Sequence, residues 1–167
     1  MGIALCLMKG DTGGLLNTLG NLSAPYGITA VIAGLTTRRY WSGALAGVAA
    51  TEATLGGFYW AYATLLGHEV STGTLTIWCG LGLPLGAACG LVGRAGVGRP
   101  ALWYAIPGLL LFEPLALRAQ VITSHFGFGY ADLTPDDVIA FAIEFVIGIT
   151  VLLLVRARVF STRRRRA

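Results

Sequence analysis

Three glutamates stand alone inside apolar runs of this chain: Glu52 in T-E-A-T-L-G-G-F-Y-W, Glu113 in G-L-L-L-F-E-P-L-A-L and Glu144 in F-A-I-E-F-V-I-G. At the centre of a membrane helix each such acid costs roughly 2.5 to 3.5 kcal/mol, so three cost about 8 to 10 kcal/mol, comparable with the stability of an ordinary domain. Residues that expensive need a partner or a use. Low dielectric disfavours the ionised carboxyl, so an unpaired glutamate at this depth is expected to keep its proton and to act as a Brønsted acid on an apolar molecule beside it. The return step needs a second carboxyl that stays ionised, through Arg118 or through hydrogen bonds from Asn17 and Asn21. Aromatic faces between the two would stabilise a cation, and Tyr59, Trp60, Trp78, Trp103 and Phe141 are available for that.

Composition places those acids in a membrane. The chain has 167 residues, of which 55% are hydrophobic and 12% charged, outside the range of soluble globular domains. The formal charge of +4 does not point to nucleic acid, because the arginines cluster at the ends of apolar runs. Arg38 and Arg39, Arg94 and Arg99, Arg156 and Arg158, and the tail at 163–166 follow the positive-inside pattern. The tail adds a modest attraction to anionic lipid headgroups. Cys6, Cys79 and Cys89 form no C-x-x-C and read as small apolar packers. The apolar start ends at Lys9 without a small-residue cleavage site, which argues against a cleaved signal peptide.

The sequence therefore predicts an all-α, polytopic membrane helix bundle with five transmembrane helices and a short N-terminal broken or re-entrant segment. Residues 1–160 form one bundle in this reading, and 161–167 a basic cytoplasmic tail. Asp11, Asn17, Asn21 and the glycines of D-T-G-G-L-L-N-T-L-G-N break the first segment. A frayed terminus outside the bilayer is the plainer reading of the same residues. The five spans fall at 21–37, 41–66, 74–93, 101–122 and 138–155. The second carries Gly43 and Gly47; the third carries Gly82, Gly86 and Gly90, the tightest packing ridge in the sequence. Glu52 shares a helix face with Gly56, Tyr59 and Trp60, so the acid looks onto a cleft walled by aromatics. Pro107 and Pro114 are expected to bend the fourth span, and Arg118 to snorkel or to reach a carboxylate. An aromatic loop, T-S-H-F-G-F-G-Y-A-D-L, forms an interfacial lid. It leads to a helix start at Thr134, Pro135, Asp136 and Asp137. Basic loops put the C-terminus on the cytoplasmic side of the cell membrane.

Size, five spans and intramembrane acids beside aromatics resemble the small actinobacterial integral-membrane terpene cyclases of indole-terpenoid pathways, the drimentine and xiamycin type. The resemblance is architectural and rests on no short motif. It implies protonation of an alkene or epoxide of a farnesyl-type chain on an aromatic substrate, cyclisation through carbocations, and final deprotonation, with no cofactor. It also implies an acid role for Glu52 or Glu113, with Glu144 or Asp11 as the other carboxyl. No metal is expected, since magnesium-dependent prenyl enzymes need D-D-x-x-D and the one adjacent pair, Asp136 and Asp137 in D-D-V-I-A, lacks the third aspartate. His68 and His125 stand apart on loops, and no Ser-His-Asp set is present. The partners expected are a lipophilic small molecule, the bilayer and a second copy of the chain. The same residues equally suit a proton-coupled transporter or a membrane substrate-binding component. The plain alternative is structural, with protonated glutamates tied to backbone freed by the prolines.

Overall fold

In a computed structural model, residues 1–10, 13–118 and 134–164 are described. Every regular element among them is helical: α1 (Gly2–Lys9), α2 (Leu15–Gly20), α3 (Ala24–Leu35), α4 (Tyr40–Thr64), α5 (Thr72–Gly96), α6 (Ala105–Arg118) and α7 (Pro135–Arg164). A 3-10 turn, Pro100–Tyr104, precedes α6. The chain divides into two compact units, residues 1–102 and 103–167.

The first unit is built on glycines. α4 packs chiefly on α5, and α3 lies against both. A Cβ on Gly90 would strike the carbonyl of Gly43, one on Gly47 the carbonyl of Gly86, and one on Gly34 the carbonyl of Gly90. The four-residue glycine spacing read from the sequence thus becomes backbone-to-backbone contact, the arrangement that lets helices associate without a hydrophobic drive. Ser71 starts α5, its hydroxyl accepting the N–H of Thr74 at 3.0 Å.

The N-terminal residues form α1 and α2, between which Gly10, Gly13 and Gly14 have φ 53°, 66° and 87°, where a side chain would be strained. α1 rests on α4, with Gly2 against the Thr54 carbonyl. Leu5 and Cys6 pack with Phe58 and Ala61 in a small core edged by Tyr26, Tyr59 and Tyr62. The Lys9 ammonium lies 4.5 Å from the Tyr62 ring centroid, and His68 stacks on Tyr62 at 4.5 Å. Burial pushes the Lys9 pKa down, against a smaller opposite effect of Cys6.

The second unit is the pair α6 and α7. Thr134 and Asp137 cap α7 reciprocally: the Thr134 N–H and hydroxyl donate to Asp137 Oδ2 at 2.9 and 2.8 Å, and the Asp137 N–H donates to the Thr134 hydroxyl at 3.3 Å. The helix start read from the sequence is found there. Pro107 is different from expectation. It is fully buried in the first turn of α6, where no helical hydrogen bond is lost, so Pro114 is the proline inside that helix.

Two helices among the described residues, at Thr72–Gly96 and Pro135–Val159, are long and apolar enough to cross a membrane, not the five expected. The reasons are local. α3 has 12 residues, about 18 Å of helix against a hydrocarbon core of about 30 Å. α4 has 25 residues, but its serine, threonines, glycines and Glu52 dilute its apolar character. α6 has 14 residues as far as Arg118, and 119–133 lie outside the described residues.

Candidate functional site

α6 and α7 bring two of the three glutamates together. α7 turns Asp137, Ala140, Glu144 and Gly148 inward at helical spacing, all of them buried. A Cβ on Gly148 would lie 2.8 Å from Leu111 Cδ2 and 3.2 Å from Leu110 Cβ, so the missing side chain lets α6 come close. One turn away on each helix, Glu113 and Glu144 come near enough for their carboxyl groups to interact. With Leu110 and Leu111 opposite residue 148 and Glu113 opposite 144, the helices run antiparallel.

Glu144 is 2% exposed, and neither of its oxygens has a protein N–H or O–H donor among the described residues. Its polar neighbour is another carboxyl group. Two ionised carboxylates side by side in an apolar helix pair would repel. Glu113 is half-buried. Pro114 follows it and offers no N–H to the carbonyl four residues back, that of Leu110. Phe141 lies three residues before Glu144, on the same side of α7, and is half-buried.

Glu52 belongs to the first unit. Its Oε1 is buried without a donor, 2.5 Å from where a Cβ on Gly82 would be. The thiol of Cys79, three residues before Gly82 on α5, lies near the same carboxyl group. Cys79 is half-buried, whereas Cys6 and Cys89 are buried. The hydroxyl of Thr51, itself 2% exposed, also lacks a partner at this interface. Gly56 is exposed, and a Cβ there would meet nothing within 4 Å. Tyr59 stands near Cys79 and edge-on to Phe58 at 5.4 Å. Trp60, expected beside Glu52, is 54% exposed.

The other expected site residues are dispersed. Trp78 is half-buried on α5, Asn17 half-buried on α2, Asn21 exposed at the end of α2, and Trp103 36% exposed on the turn before α6. Asp11, the side chain of Arg118, the lid loop with His125 and the end of the arginine tail lie outside the described residues. Among the described residues no three His, Cys, Asp or Glu side chains converge as a metal ion would require. Sequence reasoning missed Cys79 as a neighbour of Glu52. The signal was its spacing of three from Gly82, which places both on one face of α5.

Comparison with protein-family models, with curated proteins and with solved structures finds no match to this chain. Its function has to be argued from the glutamates themselves.

Proposed function

We propose that the chain is an integral-membrane terpene cyclase that carries out metal-independent, protonation-initiated cyclisation of a prenylated aromatic substrate of the farnesyl type. In this reading the two long apolar helices cross the membrane, and the C-terminus is cytoplasmic. The observation that carries it is the carboxyl pair Glu113 and Glu144, one half-buried and one fully buried, on an apolar helix pair. Such a pair holds a proton where water is scarce, and an alkene is too weak a base to take one from water.

The chemistry balances without a co-reactant. An O–H bond of the pair breaks, and its proton adds to the less substituted carbon of the terminal alkene, leaving a tertiary cation. The next alkene donates its π electrons to close a ring, and an adjacent C–H proton returns to the carboxylate. The product is an isomer of the substrate. Phe141, on the side of α7 that carries Glu144, supplies a ring face for the cation.

A proton-coupled carrier is the second reading, favoured by Pro114 inside α6 directly after Glu113 and by the break between α1 and α2. One assay separates the two. Purified protein in detergent is incubated with a farnesylated indole and no added metal. A cyclase yields a product of unchanged mass and shorter retention, whereas a carrier returns the substrate. Retained cyclisation by both Glu52→Gln and Glu113→Gln would remove the enzymatic reading.

A further inference from the structure

Where α3 passes to α4, the first unit gathers positive charge with no carboxylate beside it. Arg38 and Arg39 are exposed in the turn between the two helices. Gly43 brings α5 to the same place, since a Cβ there would lie 2.8 Å from Arg94 Cβ and 3.3 Å from the Thr37 hydroxyl. The Arg94 guanidinium lies 5.4 Å from the Tyr40 ring centroid, and its Nε is buried with no acceptor among the described residues. The described carboxylates of this unit are Glu52 and Glu69. Glu52 stands more than three turns along α4 from Arg39, about 20 Å, and Glu69 follows the far end of that helix. Guanidinium groups gathered without a counter-charge repel one another, and an anion among them turns the repulsion into attraction.

We propose that Arg38, Arg39 and Arg94 bind the phosphate of an anionic phospholipid, with a headgroup of the phosphatidylglycerol kind. A guanidinium presents parallel N–H groups that match two phosphate oxygens, and its planar fork makes that match more specific than a point charge would. The surroundings select a lipid over a free phosphate. Tyr40 and Trp41, 56% and 60% exposed, open α4 beside the arginines, and aromatics of this kind sit where headgroups meet hydrocarbon. Leu45, also 60% exposed, follows Trp41 by four residues on the same helix face, so an apolar track for an acyl chain leads away from the charge. Charge bias in loops sets orientation alone. Arginines that converge from two elements also select among lipids. The site belongs to residues 1–102 and is independent of the reaction proposed for the glutamates.

Brominated lipids test this, because bromine on an acyl chain quenches a tryptophan that it touches. Full-length protein carrying Trp60→Phe, Trp78→Phe and Trp103→Phe, so that Trp41 alone emits, is reconstituted in phosphatidylcholine vesicles. A minor fraction of the lipid is brominated phosphatidylglycerol in one set and brominated phosphatidylcholine in the other. Relative binding read from the quenching is expected to favour phosphatidylglycerol by more than about tenfold, and Arg39→Gln and Arg94→Gln should each lower that preference about fivefold, the equivalent of about 1 kcal/mol per arginine at an anionic surface. Arg94→Lys keeps the charge, loses the fork and should lower it too. Equal quenching by the two lipids would overturn the proposal. An Arg94→Lys protein as selective as its parent would do the same, since diffuse attraction would then suffice. Millimolar pyrophosphate at constant ionic strength should leave the quenching unchanged; relief of it would mark a soluble-phosphate site and refute the lipid assignment. Native mass spectrometry of the unaltered protein and of Arg39→Gln, counting retained phosphatidylglycerol against phosphatidylcholine, repeats the comparison without the tryptophan changes. Circular dichroism of each variant separates lost binding from misfolding.

Discussion

Glu144 shows what a buried carboxyl requires: a partner, a proton, or both. Because Glu113 is the polar group that reaches it, removing that partner alone should cost more than removing both. Glu113→Leu is expected to destabilise the protein by about 1 to 3 kcal/mol, the penalty for a stranded buried polar group, while the double change Glu113→Leu with Glu144→Leu comes close to the parent or exceeds it. Thermal unfolding in detergent of the four proteins of the cycle measures this. A double variant weaker than both singles would mean that the carboxyls do not act as a pair. The three glutamates were legible from sequence, since a lone acid in an apolar run stands out by type. Their pairing was not. Spacing along one helix says which residues share its face, but nothing in it sets the register between α6 and α7, so Glu144 found Glu113 while Glu52 found the thiol of Cys79. Trp60, eight residues from Glu52 on α4, is 54% exposed.

The helices themselves were legible where a local rule governs them. Glycines four apart foretold the α4–α5 contact, and Thr134 with Asp137 foretold the start of α7. Two alanine substitutions on α5 separate packing from propensity. A Cβ at Gly80 meets nothing within 4 Å, so Gly80→Ala should stabilise by up to about 1 kcal/mol through helix propensity. A Cβ at Gly90 meets the Gly43 carbonyl, and Gly90→Ala should destabilise by about 1 to 3 kcal/mol or more. Equal melting temperatures for the two variants would deny that the glycine ridge holds these helices together. Asp137→Ala breaks both sides of the α7 cap and should cost about 1 kcal/mol, read the same way. Pro107 was misjudged because a proline bends a helix only from its interior, and the 3-10 turn before α6 moved the helix start to Ala105.

For the molecule as a whole, the helical class was evident from composition and the long apolar runs, whereas the number of spans was not. Hydropathy ran on across breaks that the backbone respects, so 21–37 became the 12 residues of α3, and the fourth span reaches only Arg118 within the described residues. Topology follows from the arginine clusters: fluorescent-protein and alkaline-phosphatase fusions after residue 164 should give fluorescence and no phosphatase activity, and the reverse result would invert the orientation proposed for the bundle. The reaction remains the most exacting test. Purified wild-type protein and Glu113→Gln, matched in folding and each given a farnesylated indole without metal, are compared by chromatography and mass. The account predicts an isomer of unchanged mass from the wild type and none from the variant; unchanged substrate from both, or the same isomer from both, would contradict it.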